Sequence, residues 1–187
     1  MIGVDLSEEM LEIALEHEME DPKQILYLQQ DMREFELYGT VRAIVSICDS
    51  MNYILEKEDL VQVFKPVNNY LGPSGIFIFD MNTEYKFREV LGQKVFGAAE
   101  EAAAYIWEND YDEEEKINEY YVSFFIEQEN GLYERVEEYH YERAYSIEEI
   151  EQALQAAGLA LLEVTDGYCF APPQERSERL LFTAKLK

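Results

Sequence analysis

Four acidic side chains in this sequence follow short apolar runs. Asp5 follows Ile2–Val4. Asp31 follows Ile25–Leu28 and two glutamines. Asp49, with Ser50, follows AIVSIC, and Asp80-Met81-Asn82 follows GIFIF. A carboxylate only accepts hydrogen bonds, so at a strand end it suits a ligand that presents hydroxyl or amino groups. Two of these residues also have plainer uses: Asp5 can cap the helix that follows, and Asp31 can be a surface loop acid. Other chemistry finds little support. His17 and His140 lie far apart and no cysteines cluster with them, so no metal site is expected. No Ser-His-Asp or Cys-His arrangement can be argued. Cys48 stands in an apolar run, where a thiolate is disfavoured. His140 lies among glutamates and reads as a solvated or salt-bridged side chain rather than a base.

The elements that would position these residues alternate. Ile2–Asp5 reads as the end of a strand, and Ser7 as the N-cap of a helix. Glu8 and Glu9 suit the first turn of that helix. Met10, Ile13, Ala14 and His17 fall on one stripe, with Leu11 and Leu15 beside it. Asp21-Pro22 should end it. Ile25–Leu28 reads as a short strand. Ala43–Cys48 reads as a strand covered on both faces. Leu60–Leu71 reads as a helix stopped by Leu71-Gly72-Pro73-Ser74-Gly75, and Gly75–Asp80 as another buried strand. This order predicts an α/β fold around a mostly parallel sheet, which binds ligands at the carboxyl ends of its strands.

The character then changes. Tyr105–Glu108, Ile117–Glu127 and Tyr133–Tyr145 read as antiparallel strands, with Asn130-Gly131 as a two-residue hairpin turn. Tyr133, Tyr139, Tyr141 and Tyr145 share one face of the last of these, as half-buried packing or as a binding platform. Lying between a strand end and the next helix, this sheet is placed to cover a cleft. Ser146-Ile147-Glu148-Glu149 is a capping box. Its helix should run to about Ala157, with Gly158 in the left-handed position beyond. Leu159–Val164 and Leu180–Leu186 read as the last two strands, joined by a loop carrying Tyr168 and Phe170.

The 187 residues suffice for one domain with a sizeable core, and 48% of them are hydrophobic, which is too many for a disordered acidic chain. The net charge of −25 argues against nucleic acid and membrane surfaces as partners. No apolar run approaches the ~20 residues of a membrane span, and no secretion signal is visible. Cys48 and Cys169 are expected to be free buried thiols in a reducing cytoplasmic setting. Between Glu100 and Glu151 there are 18 Asp and Glu against three basic residues, Lys116, Arg135 and Arg143. Such a run is a solvated face, or a cleft that favours a cationic substrate such as an amine.

Four segments in order resemble class I S-adenosylmethionine-dependent methyltransferases. GVDLSEEMLEIA is similar to the second strand and its helix, and LQQDMREF to the end of the third strand. AIVSICDSMNYI is similar to the fourth strand and the segment after it, and YLGPSGIFIFDMN to a helix-end turn and fifth strand. The C-terminal helix, the AAGL strand and the last strand complete the pattern. Residues 98–145 resemble the lid sheet of small-molecule members, within a single domain spanning 1–187. The resemblance implies a Rossmann-like sheet with an antiparallel hairpin insert. It implies methyl transfer from S-adenosylmethionine to a small-molecule N, O or C nucleophile. Asp5 would accept from the ribose hydroxyls and Leu6 would pack on the adenine. Asp31 and the Met32 backbone would meet the adenine edge, with Cys48 and Asp49 beside the methionine part. Asn52, Tyr53 and the insert, with Tyr139, Tyr141 and Tyr168 as candidates, would face the acceptor.

The family's glycine-rich loop, of the form E/D-x-G-x-G-x-G, has no counterpart here. The expectation is therefore a chain lacking an N-terminal segment that includes the central first strand. Two apolar strand edges would then be open, to be filled by another segment, a partner subunit or a second copy in a homodimer. Two other readings stand beside this one. A nicotinamide-dependent oxidoreductase also uses an acid after its second strand. A non-catalytic remnant would fold only by dimerising or by binding a partner.

Overall fold

The computed structural model describes residues 1–20 and 22–187. The first strand, β1 (Ile2–Asp5), leads into helix α1 (Glu8–Glu20). Ser7 caps α1: its Oγ accepts the Met10 N–H at 3.1 Å. None of the expected apolar stripe is buried; of the residues beside it, Leu11 is. Asp21, half of the expected helix stop, lies outside the described residues. Strand β2 (Leu26–Gln29) pairs in parallel with β1, with Asp5 opposite Gln29. The segment after β2 ties this unit to the rest of the chain. Arg33 pairs with Asp59 at 3.1 Å, and the Phe35 ring lies 5.7 Å from that of Tyr70.

Strand β3 (Val41–Ser46) runs parallel to β4 (Leu71–Asn82), with helix α2 (Lys57–Tyr70) between them. Two expectations need correction here. The stretch Leu71-Gly72-Pro73-Ser74-Gly75 does more than stop a helix, since it already belongs to β4. Pairing jumps from Val41–Leu71 to Ala43–Ile76, so the turn residues are absorbed in a bulge. Gly75 allows it, because a Cβ there would come within 2.7 Å of the Leu71 side chain and 3.0 Å of the Arg42 carbonyl. Nor is β3 covered on both faces: Val45 is 58% exposed and Ile47 just beyond it is also exposed.

After the insert, helix α3 (Ile147–Ala156) starts with the expected capping box. Ser146 Oγ accepts the Glu149 N–H at 3.2 Å, and Glu149 Oε2 accepts the Ser146 N–H at 2.9 Å. Strands β9 (Leu159–Asp166) and β10 (Arg179–Leu186) complete a sheet of order β3-β4-β10-β9. Here β3, β4 and β9 run one way and β10 the other. Stacked rings fill its core: Phe77 lies 4.7 Å from Phe79, and Phe79 5.0 Å from Phe182. Phe64, Ile150, Leu154 and Leu159 close around them, all fully buried. Among the described residues, β1 and β3 pair with each other nowhere, and each has an edge without a strand partner.

A π-helical turn at Lys86–Leu91 leads into the insert, a wholly antiparallel sheet. Its strands, in order, are β5 (Val95–Ala99), β6 (Ala103–Asp112), β7 (Ile117–Glu127) and β8 (Tyr133–Arg143). No pattern in the residues announces β5. The β7–β8 connection is longer than a two-residue turn. Glu127 pairs with Tyr133, and of Asn130-Gly131 only Gly131 has positive φ. A small second core of Phe87, Leu91, Tyr111, Tyr120 and Ala144 joins the insert to the turn before it. No described helix is long and apolar enough to cross a membrane.

Candidate active site

The end of β3 turns sharply. Cys48 and Asp49 both adopt left-handed backbone, at φ 62° and 56°, before a 3-10 turn at Ser50–Tyr53. Two consecutive non-glycine residues in that region cost on the order of 1 kcal/mol each or more, so the surroundings must hold them. The Asp80 carboxylate at the neighbouring end of β4 does so. It accepts the Cys48 N–H at 3.3 Å and the Asp49 N–H at 2.8 Å. Asp80 is fully buried, and it is charge-compensated by Arg179 at 2.8 Å while also accepting the Tyr168 hydroxyl. Cys48 is thus exposed at a strand end, and Cys169 is exposed as well; neither is the buried thiol expected.

The same cluster continues toward the insert. Asn82 donates through Nδ2 to Asp49 at 2.5 Å and to Glu142 at 3.1 Å, while Lys86 Nζ donates to its Oδ1 at 2.9 Å. Glu142, only 4% exposed, comes from β8. Burial, and then the Asp49 charge, push its carboxyl up to about 7. Burial, followed by Arg179, lowers the Lys86 ammonium. Asn52 stands where the sequence put an acceptor-facing residue, but no part of its side chain is exposed. It donates to the Asn82 and Arg143 carbonyls at 3.1 and 2.8 Å and accepts the Asn82 N–H at 2.8 Å. Its role is that of a strut binding the turn to β4 and β8.

Tyr53, next in the chain, is half exposed and reaches the insert. Its hydroxyl lies 3.2 Å from His140 Nδ1, and His140 Nε2 lies 3.1 Å from Glu138. Burial, then Glu142, Asp49 and Glu138, push the Tyr53 phenol up to about 12. Residues alternate along β8, so His140 and Glu142 face one way and Tyr139 and Tyr141 the other. Tyr139 stacks on Tyr121 at 4.8 Å, and Tyr141 donates to Glu119 at 3.3 Å. Tyr139 borders an open concavity of about 450 Å³ with Glu108, Asp110, Glu119 and Tyr121. These two tyrosines are therefore on the sheet face opposite the strand-end cluster. Tyr168 has an exposed ring, and its hydroxyl is committed to Asp80.

On the β1–β2 unit, Asp5 and Leu6 are exposed, Leu6 at 64%. Asp5 Oδ1 accepts the Ser7 N–H at 2.9 Å, a turn contact to the residue before the helix, while the cap itself is Ser7. A carboxylate carries about four acceptor sites, so this leaves room for hydroxyl donors. Asp31 receives the Arg33 guanidinium on both oxygens, at 2.6–3.1 Å, which holds its carboxyl below the usual range. An exocyclic amine there would share that carboxylate with Arg33. An exposed acceptor at Asp5 and a partly buried one at Asp31, following adjacent parallel strands beside the exposed apolar side chain of Leu6, suit a nucleoside. Among the described residues no group of His, Cys, Asp and Glu is arranged to hold a metal.

Of the strand-end cluster, the sequence singled out Asp49, Asp80 and Asn82. It missed Glu142, Lys86 and Arg179. Arg179 opens β10 directly opposite Asn82, a pairing that no local pattern announces.

Residues 1–75 match a family profile described as a methyltransferase domain. Over 185 residues the chain is 38% identical to "Putative methyltransferase YqeM" of Bacillus subtilis (strain 168), covering 98% of this chain and 74% of that protein. The fold matches the crystal structure of an S-adenosylmethionine-dependent methyltransferase from Clostridium acetobutylicum ATCC 824. The TM-score is 0.91 and the identity 34%, over 99% of this chain and 74% of that one. It also matches CalS10, an amino pentose methyltransferase from Micromonospora echinaspora solved with its cofactor bound. There the TM-score is 0.74 and the identity 19%, over 100% of this chain and 73% of that one, a likeness of fold alone. These relationships leave no place for the nicotinamide reading. With its α/β sheet, antiparallel insert and strand-end carboxylates, the chain belongs to the class I S-adenosylmethionine-dependent methyltransferases, and S-adenosylmethionine is its cofactor.

Proposed function

We propose that the methyl acceptor is a small-molecule amine, taken up between the strand ends and the inner face of the insert. One observation carries this reading: where the insert meets the β3 turn, the half-exposed Tyr53 hydroxyl stands against His140 and Glu138, with Glu142 and the Arg179-paired Asp49 close enough to act on it. A negative field in a partly desolvated site attracts a cation and repels an anionic acceptor. CalS10, whose acceptor is an amino pentose, has the same fold.

When bound, S-adenosylmethionine supplies an electrophilic methyl on a sulfonium. The chain's own residues bind and orient. Asp5 and Leu6 are the proposed contacts to the ribose and adenine, with Asp31 and the Met32 backbone at the adenine edge. Cys48 and Asp49, fixed by Asp80, lie beside the methionine end. Tyr53 is the proposed acceptor contact, with Tyr168 at the rim. Tyr139 and Tyr141 have no part on this face.

The test is a panel of small primary and secondary amines, alcohols, phenols and carboxylates, read by formation of S-adenosylhomocysteine. Turnover confined to amines is expected. Turnover of hydroxyl or carboxylate acceptors with no amine among them would overturn the reading.

A further inference from the structure

We infer that Tyr53, His140 and Glu138 form a proton-accepting chain on the acceptor side, in which the Tyr53 hydroxyl takes the proton of the bound ammonium and His140 is the base behind it. This rests on the amine reading above. An ammonium has no lone pair, so it must lose a proton before its nitrogen can attack.

The direction of the chain follows from what each atom is able to do. Glu138 is a carboxylate and only accepts, so His140 Nε2, 3.1 Å away, carries the hydrogen. A neutral imidazole then has a bare Nδ1, which is the atom facing the Tyr53 hydroxyl at 3.2 Å. The phenol therefore donates to Nδ1, and its oxygen keeps lone pairs for an incoming N–H. A phenol is protonated at neutral pH, as this relay needs, and burial and the surrounding carboxylates push Tyr53 further in that direction, up to about 12. Hydroxyl, imidazole and carboxylate stand in the same functional order as in a Ser-His-Asp triad, with the hydroxyl passing a proton rather than attacking.

The step balances. The ammonium N–H breaks as an O–H forms at Tyr53. The original Tyr53 O–H breaks as an N–H forms at His140 Nδ1. The amine lone pair is freed, the new imidazolium faces Glu138, and its extra proton later leaves to water. The chain bridges two elements, since Tyr53 belongs to the turn after β3, while His140 and Glu138 belong to the insert strand β8. It exists only when the insert sits against that turn.

Other titratable groups face the same spot. Tyr120 of β7 is opposite His140 in register and is pushed up by burial and Glu142. Asp49 lies in the turn, and Glu142 on β8 titrates at about 7. Glu142 is the carboxylate pushed up to near neutrality, so rates are compared in wild type and in Glu142→Gln.

Two readouts test the chain. Nitrogen NMR of the unliganded protein, which has only His17 and His140, reports the tautomer. The expected result is an Nε2-protonated His140, with the preference lost in Glu138→Gln. Steady-state kinetics on the preferred amine then follow Tyr53→Phe and His140→Gln. Each should lower kcat by about 100-fold, the scale of a positioned acid-base group. His140→Gln should also abolish the rising limb of the pH–rate profile, in the Glu142→Gln background as well. An Nδ1-protonated His140, or variants with wild-type kcat and profile on an amine that wild type does methylate, would overturn the chain alone. A wild type that methylates no amine overturns the amine reading, and this inference with it.

Discussion

At the level of single residues, the site is a set of buried charges that compensate one another. Asp80 can be fully buried because Arg179 and two backbone N–H groups meet it. Glu142 is less well compensated, since Asn82 donates to it but Asp49 lies nearby with the same charge. The consequence for stability has a definite sign. The folded-state carboxyl titrates at about 7, against 4.5 for the ordinary value. Below the ordinary value both states are protonated and Glu142 carries no penalty. As pH rises toward 7 the unfolded chain ionises first, so stability falls across that window. At about 1.4 kcal/mol for each tenfold difference in proton affinity between the folded and unfolded states, the loss amounts to about 3 kcal/mol. Glu142→Gln should remove it. Urea unfolding at pH 5 and pH 7.5 should show a smaller difference between the two pH values in the variant, and an equal difference would disprove the assignment.

The acceptor side shows what was legible at this scale. The acids after the strands could be seen because they punctuate apolar runs. Asn52 was visible as a polar residue near the right place, but its burial as a strut depends on carbonyls from β4 and β8, remote in sequence. His140 and Glu142 looked like members of a solvated charge run. The packing of β8 over the β3 turn and the end of β4 brings Tyr53 to His140 and Asn82 to Glu142.

Among the elements, the central strands were readable from their apolar runs, while the boundaries were decided by pairing. β4 extends back through Gly72-Pro73 because a bulge against β3 absorbs those residues. β5 escaped notice because VFGAA is short, contains glycine and pairs only with β6. The alternation of β8 was plain, yet which face meets the site depends on how the chain enters the insert. The edges of β1 and β3 have a consequence of their own. Unpaired edges bearing exposed apolar side chains favour self-association, and a lysine on such a strand opposes it. Light scattering of this polypeptide should rise with concentration, and Val45→Lys should reduce the rise. Identical scattering in the two proteins would show that the β3 edge is not the contact.

For the whole molecule, the charge of −25 and the acidic insert surround a site whose cofactor is itself cationic at sulfur. Asp5 and Asp31 stand at or just beyond the ends of β1 and β2, and Asp49 and Asp80 at or beside the ends of β3 and β4. The central claim is that Asp5, at the end of β1, holds the ribose of S-adenosylmethionine. Calorimetric titration of S-adenosylmethionine and S-adenosylhomocysteine into wild type and Asp5→Ala tests it directly. The account predicts micromolar binding to wild type. In the variant it predicts a loss of about 1.5–3 kcal/mol, the scale of hydrogen bonds to a charged group, or roughly 10- to 150-fold in Kd. Equal affinity in the two folded proteins would contradict the placement of the cofactor.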